Sequence, residues 1–163
     1  MRIVLTTESY LPYLSGVTIS VESLARGLVA RGHEVLVVAP RPARGATPVD
    51  TGASGPPPRV AWLDSYQLPR VAPPMYRMPW PNPWSRALRD ARAFGPDLVH
   101  AHSPFVTGLF GLRLARATAV PLVFTHHTRF GDYGHYLGPL GPLGALGIEA
   151  YLSRFWRASA TVR

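Results

Sequence analysis

The sequence of 163 residues contains no cysteine and no lysine, so all 17 of its basic residues are arginine. Without cysteine the chain can form neither a disulfide nor a thiolate metal site, which is compatible with a reducing cytoplasm. No apolar run reaches the ~18 to 20 residues that a spanning helix requires. Met1 leads directly into an apolar stretch, so we predict no secretory signal and only peripheral contact with a membrane.

The sequence also lacks the glycine pattern G-x-G-x-x-G, which counts against an ordinary dinucleotide-binding enzyme. Acidic residues are few, and the formal net charge is +8. Arginine-rich surfaces attract anionic lipid headgroups, nucleic acids or phosphorylated ligands, and the charge alone favours none of the three. The length predicts a single domain, residues 1–163, that is large enough to bury a core.

Residues 1–40 predict a strand, a helix and a second strand. An apolar run after Met1 breaks into a loop with proline and glycine, and apolar residues then recur at helical spacing. Gly32 suits the end of this helix, and the unbroken apolar run 35–39 is typical of a strand covered on both faces. Strands joined in this way are parallel neighbours. The helical face consists of Val17, Val21, Leu24 and Leu28.

The remainder of the chain repeats the alternation of strand and helix, which predicts a Rossmann-like α/β fold with a parallel sheet between two helical layers. Proline-rich stretches and a flexible apolar segment interrupt it. We predict strands at 59–63, 97–101, 120–125 and from 160, helices at 84–94, 104–118 (capped by Ser103) and 148–158, irregular chain at 41–58 and 64–83, and a flexible loop at 137–144.

Ligands of such sheets bind at the carboxyl ends of the strands, and the loop 10–16 lies there. Gly16 in this loop either lets backbone N–H groups approach a phosphate closely or merely permits a tight turn. His102, His126 and His127 follow strands at the same edge. A zinc site built from these three is conceivable, but no cysteine or carboxylate lies at a ligand spacing. We therefore predict no metal.

Several of these segments resemble one known family. Tyr10-Leu11-Pro12 with Ser15-Gly16-Val17, the segment 96–103 with its His-x-His pair, and Thr125-His126-His127-Thr128 are similar to motifs in the N-terminal domain of the retaining GT-B glycosyltransferases of family four. The serine before Gly16 and the run Asp132-Tyr133 with His135-Tyr136 are similar to the diacylglycerol glucosyltransferase and phosphatidylinositol mannosyltransferase branch.

This resemblance implies the acceptor-side half of a GT-B enzyme, without the C-terminal domain that binds the donor. The implied reaction is retaining transfer of a hexose from a nucleotide-diphosphate sugar to a membrane lipid, with no cofactor. His127 corresponds to the family's active-site histidine, which contacts the sugar or acceptor and is not a nucleophile. By the same resemblance Ser15 and Gly16 bind the donor phosphate, and the acceptor-binding residues are Tyr10, His102, Thr128, Tyr133 and Tyr136.

Trp80, Trp84, Arg86 and Arg89 predict a membrane-surface face, because tryptophan suits headgroup depth and arginine pairs with phosphate. The alternative is that the aromatic residues cover the edge of the sheet and the arginines are a solvated face. The expected partners are a nucleotide sugar, a lipid or small-molecule acceptor, an anionic membrane surface and a C-terminal GT-B domain, but no nucleic acid. We expect a cytoplasmic protein, peripheral at the inner face of the cell membrane. A soluble acceptor and a non-catalytic binding domain are the competing hypotheses.

Overall fold

The computed structural model describes residues 1–47, 49–67, 76–82, 84–127 and 141–160. The strands within these ranges are β1 Arg2–Thr6, β2 Glu34–Pro40, β3 Arg59–Leu63, β4 Ser65–Tyr66, β5 Met78–Pro79, β6 Leu98–Ala101 and β7 Leu122–Phe124. Five of them form one parallel sheet in the order β3-β2-β1-β6-β7, and the very short β4 and β5 pair separately. The central strand β1 lies between β2 and β6, which places the beginning of the chain at the middle of the sheet.

In the described part of the chain, four helices cover the two faces of this sheet: α1 Gly16–Ala30, α2 Arg86–Phe94, α3 Val106–Thr118 and α4 Gly141–Ala160. Successive strand residues point to opposite faces, so β1 contributes Ile3 and Leu5 to one core and Val4 to the other. Helix α1 packs on the first core through Val21 and Ala25. Helices α2, α3 and α4 pack on the second. The predicted three-layer α/β architecture is confirmed.

The ends of α1 follow local sequence rules. Ser15 is its N-cap, and the Ser15 hydroxyl accepts a hydrogen bond from the N–H of Thr18 at 3.1 Å. Arg31 is the C-cap, and Gly32 follows it with φ at +81°, a left-handed conformation that residues with a Cβ adopt at a cost. The predicted role of Gly32 is therefore confirmed.

The predicted cap of α3 by Ser103 is wrong. The helix begins at Val106 and its N-cap is Phe105, which makes no capping hydrogen bond through its side chain. The carboxylate of Glu8 takes this place, because its Oε1 accepts from the N–H of Thr107 at 3.2 Å. A carboxylate at the positive end of a helix is favourable even when it comes from another element.

Three other predictions need correction. The segment 64–83 is not irregular throughout, since β4 pairs antiparallel with β5. Arg77 braces this pair by donating to the carbonyl oxygen of Ser65 at 2.7 Å and to its hydroxyl at 2.8 Å. Helix α4 begins at Gly141, so part of the predicted flexible loop 137–144 is helical. The last predicted strand is also wrong at residue 160, which ends α4; residues 161–163 lie outside the described part.

None of the helices within the described ranges is long and apolar enough to cross a membrane.

Candidate functional site

The carboxyl ends of β1, β6 and β7 bring three chain segments together at one edge of the sheet. These strands are neighbours in the sheet order. The N–H of His102 donates to the carbonyl of Thr6 at 2.8 Å, and the N–H of Thr125 donates to the carbonyl of Ala101 at 2.9 Å. These bonds extend the pairing beyond the strands, so the residues that follow β6 and β7 start from fixed positions.

His100, His102 and His127 form a packed group, which we call the histidine cluster. Nδ1 of His102 lies 2.9 Å from Nε2 of His127, a hydrogen-bonding distance, and the two rings stack with centroids 5.2 Å apart. The rings of His100 and His102 lie 4.1 Å apart because the two residues occupy alternate positions and point the same way. Nε2 of His100 lies 2.7 Å from the hydroxyl of Thr125.

Burial of the histidine cluster sets the protonation of its rings. His102 is only 4% exposed. Burial lowers the pKa of His100 to about 4 and that of His102 to about 3, with a smaller contribution from the neighbouring imidazoles. Burial also lowers the pKa of His127. All three rings are therefore neutral at pH 7, and each has one N–H donor and one acceptor nitrogen.

The loop between β1 and α1 presents the start of a helix at the same edge. The Ser15 hydroxyl lies 2.7 Å from that of Ser9 and 3.0 Å from that of Thr18, so the loop is tied by its own side chains. Gly16, the first residue of α1, is exposed, and a Cβ built on it would meet no atom within 4 Å. Packing within the domain therefore does not require glycine here.

Tyr10 lies in this loop with its side chain directed inward. It is buried, and its hydroxyl donates a hydrogen bond to the carboxylate of Glu22. The other oxygen of Glu22 accepts from Nε of Arg26 at 2.6 Å. Burial, with the adjacent carboxylate of Glu22, raises the pKa of Tyr10. The hydroxyl of Tyr10 is thus engaged in a hydrogen bond inside the domain. Acceptor binding by Tyr10 remains a prediction.

Sequence reasoning missed Glu8, which is almost fully buried at the end of β1. Burial raises the pKa of its carboxyl group, and hydrogen bonds from Ser103 and from the start of α3 oppose this. The side chain also lines a small cavity together with Tyr10, Tyr13 and Tyr76. A charged residue two positions after a buried strand is the available signal, since such groups often mark functional sites.

The three histidines of the conceivable zinc site, His102, His126 and His127, do not converge on one point. The two nearest nitrogens of His102 and His127 are hydrogen-bonded to each other. His126 points elsewhere and packs edge-on against Trp156, with ring centroids 5.8 Å apart. Across the described residues, no group of three histidine, cysteine or acidic side chains is placed to hold a metal ion.

The residues of the predicted membrane face lie on the surface near the start of α2. Trp80 is 57% exposed and Trp84 is 76% exposed. Arg86 forms an ion pair of 3.6 Å with Asp90, and Arg89 donates to the carbonyl of Trp84 at 2.7 Å. The predicted acceptor residues Thr128, Tyr133 and Tyr136 lie outside the described residues.

The sequence profile of Glycosyltransferase Family 4 matches residues 14–162. The chain is 36% identical over 133 residues to the alpha-monoglucosyldiacylglycerol synthase of Acholeplasma laidlawii, covering 82% of this chain and 31% of that protein. It is 38% identical over 128 residues to a GDP-mannose-dependent alpha-mannosyltransferase of Mycolicibacterium smegmatis, covering 78% of this chain and 32% of that protein. The chain therefore belongs to Glycosyltransferase Family 4.

The match confirms the family that the sequence motifs predicted. The chain spans about a third of the length of the curated relatives that it matches. Among solved structures, MurG of Acinetobacter baumannii aligns with 76% of this chain and 33% of that chain, with a TM-score of 0.42 and 14% identity. That likeness is too slight to bear on the site.

Proposed function

We propose that this chain is the acceptor-side domain of a hexosyltransferase that moves a sugar, with retention of configuration, from a nucleotide-diphosphate sugar to a membrane lipid. The observation that carries this proposal is the membership in Glycosyltransferase Family 4, together with relatives named for glucosyldiacylglycerol synthesis and mannosyl transfer. In this proposal the groups that hold the donor sugar belong to a separate C-terminal GT-B domain.

The geometry at the sheet edge supports separate tasks for the two parts of the site. The exposed start of α1 offers backbone N–H groups and the positive end of a helix dipole, which favour a phosphate. Gly16 leaves this approach open. His127 supplies a neutral imidazole, which can hydrogen-bond to a sugar or acceptor hydroxyl without adding charge. The protein then positions the reactants and stabilises the charge on the leaving diphosphate.

A lipid acceptor is supported by the surface beside α2. An apolar groove of about 280 Å³ runs along this surface. Its floor contains the buried residues Leu63 and Phe110, and the half-exposed Leu109 and Trp80 form part of its rim. Arg113 also lines it. Apolar surface with tryptophan and arginine at its margin suits an acyl chain below a phosphate-bearing headgroup.

The first test is transfer activity. The longer protein that contains this chain should glycosylate diacylglycerol or phosphatidylinositol in vesicles when it is supplied with a panel of nucleotide sugars. Residues 1–163 alone should fold but transfer nothing, because half of a cleft cannot align two substrates. Turnover by residues 1–163 alone would contradict the proposed division of labour, and transfer only to a soluble acceptor would replace the lipid.

The second test is vesicle binding by residues 1–163. Sedimentation should show binding to anionic vesicles at low salt and release at high salt, since each arginine near such a surface contributes on the order of 1 kcal/mol and screening acts over about 10 Å. The double variant Arg86→Glu with Arg89→Glu should bind weakly. As a control, Arg44→Glu with Arg154→Glu changes the net charge equally at exposed arginines outside α2, on the β2–β3 connection and on α4. Equal binding by both variants would favour the soluble acceptor.

A further inference from the structure

The geometry points to His102 as the positioning residue for His127: we propose that a hydrogen bond from His102 fixes both the orientation and the tautomer of the His127 ring. This inference rests on the proposed function only for its catalytic consequence, because the arrangement itself is a property of this chain. It replaces the predicted role of His102 in binding the acceptor.

The position of His102 argues against direct contact with a substrate. The residue is 4% exposed, lying between His100 on one side and His127 on the other. Its Nδ1 contacts Nε2 of His127 at 2.9 Å. Its other nitrogen, Nε2, is buried and has no hydrogen-bond partner among the residues that the structure describes. Both nitrogens of His102 are thus turned into the protein.

The backbone on both sides holds this pair in place. The N–H of His102 is bonded to Thr6, and the N–H of Thr125 is bonded to Ala101. The hydroxyl of Thr125 also fixes His100, whose ring packs against His102. His102 therefore has little freedom to turn, and it can serve as a fixed reference for the more exposed ring of His127.

The unpartnered Nε2 of His102 decides which ring donates the hydrogen bond between His102 and His127. If His127 donated, the proton of His102 would lie on Nε2 and leave a buried N–H without an acceptor. If Nδ1 of His102 donates, Nε2 keeps only a lone pair. Orphaned buried N–H groups are rarer in proteins than under-satisfied acceptors. We therefore assign the proton of His102 to Nδ1.

This assignment determines the chemistry of His127. Its Nε2 accepts from His102, so a neutral His127 ring must have its proton on Nδ1. Free imidazole side chains have no such constraint. The result is that His127 presents an N–H donor from Nδ1, which suits a hydroxyl or developing oxyanion of a bound substrate better than it suits proton abstraction.

The test is nuclear magnetic resonance of residues 1–163 labelled with ¹⁵N in histidine, at neutral pH. Long-range proton–nitrogen correlations distinguish a protonated ring nitrogen from an unprotonated one. We expect Nδ1 to be the protonated nitrogen in both His102 and His127. A spectrum in which His127 is protonated on Nε2 would overturn the assignment without any reference to activity.

Two substitutions separate positioning from packing. The amide of His102→Asn can place an N–H near the position of Nδ1, so His127 should keep its tautomer. His102→Leu has no donor, so His127 should lose the preference for Nδ1. An unchanged His127 tautomer in a folded His102→Leu variant would overturn the proposal. If that variant does not fold, the comparison of wild type with His102→Asn still decides it, because a change of tautomer in His102→Asn would contradict it.

In the complete enzyme, His102→Leu should lower kcat roughly 10- to 100-fold with little change in KM, as expected when a transition-state contact is misplaced. His102→Asn should recover most of this loss. An equal loss in both variants would make His102 a packing residue. If the tautomers are as assigned but no sugar transfer is found, the positioning inference stands and the proposed function fails.

Discussion

The loop between β1 and α1 and the histidine cluster lie at one edge of the sheet, but their polar groups differ in exposure. In the loop, the hydroxyls of Ser9, Ser15 and Thr18 bond one another at 2.7 to 3.0 Å, and the helix start at Gly16 is open. In the histidine cluster, burial keeps the rings neutral. The loop offers a partial positive charge, whereas the cluster offers a neutral donor.

This difference assigns the two regions to different parts of the proposed substrate. A helix N-terminus stabilises an anion, so it suits the diphosphate. A neutral imidazole whose donor is fixed by a second ring suits a hydroxyl, where an added charge would be costly to bury. Variants that disable one region at a time should therefore affect catalysis and stability differently.

The largest effect is expected from His127→Ala in the complete enzyme. Loss of a positioned donor near the transition state should lower kcat by about 100-fold or more. The melting temperature should fall by only a few degrees, because His127 is partly exposed and water can take its place as the acceptor for His102. Steady-state kinetics and thermal unfolding measure the two effects. If activity stays within a few-fold of wild type while the melting temperature drops, His127 is structural.

The sequence predicts much of this comparison because its signals are local. Apolar runs and helical spacing locate β1, α1 and β2, and alternation along β6 predicts that His100 and His102 point the same way. The cap of α3 by Glu8 and the pairing of β4 with β5 depend on residues far apart in the chain. No local pattern predicts which atom His102 contacts, because the sheet order brings His127 to it.

Gly16→Val tests the open helix start. A Cβ at this position meets no atom within 4 Å, so α1 should remain intact by circular dichroism. The added side chain should obstruct the approach of a phosphate and lower kcat/KM by about tenfold or more. Gly147→Val is the matched control, since Gly147 is an exposed glycine in α4 with equally open space. Equal activity in the two variants would show that Gly16 serves only the turn.

The pH dependence of unfolding should report on the histidine cluster separately from the loop between β1 and α1. An unfolded histidine has a pKa near 6.5, whereas His100 and His102 titrate at about 4 and about 3 in the folded chain. Between these values the unfolded state binds more protons, so their neutral burial stabilises the fold fully above pH ~6.5 and progressively less as the pH falls. Each such proton adds about 1.4 kcal/mol per pH unit to the slope of unfolding free energy.

Denaturant unfolding between pH 6 and pH 4 measures this slope. The double variant His100→Asn with His102→Asn should have a shallower slope, whatever its absolute stability. An equal slope in both proteins would mean that these rings become charged without unfolding. The histidine cluster would then not be neutral, and its contrast with the loop would be lost.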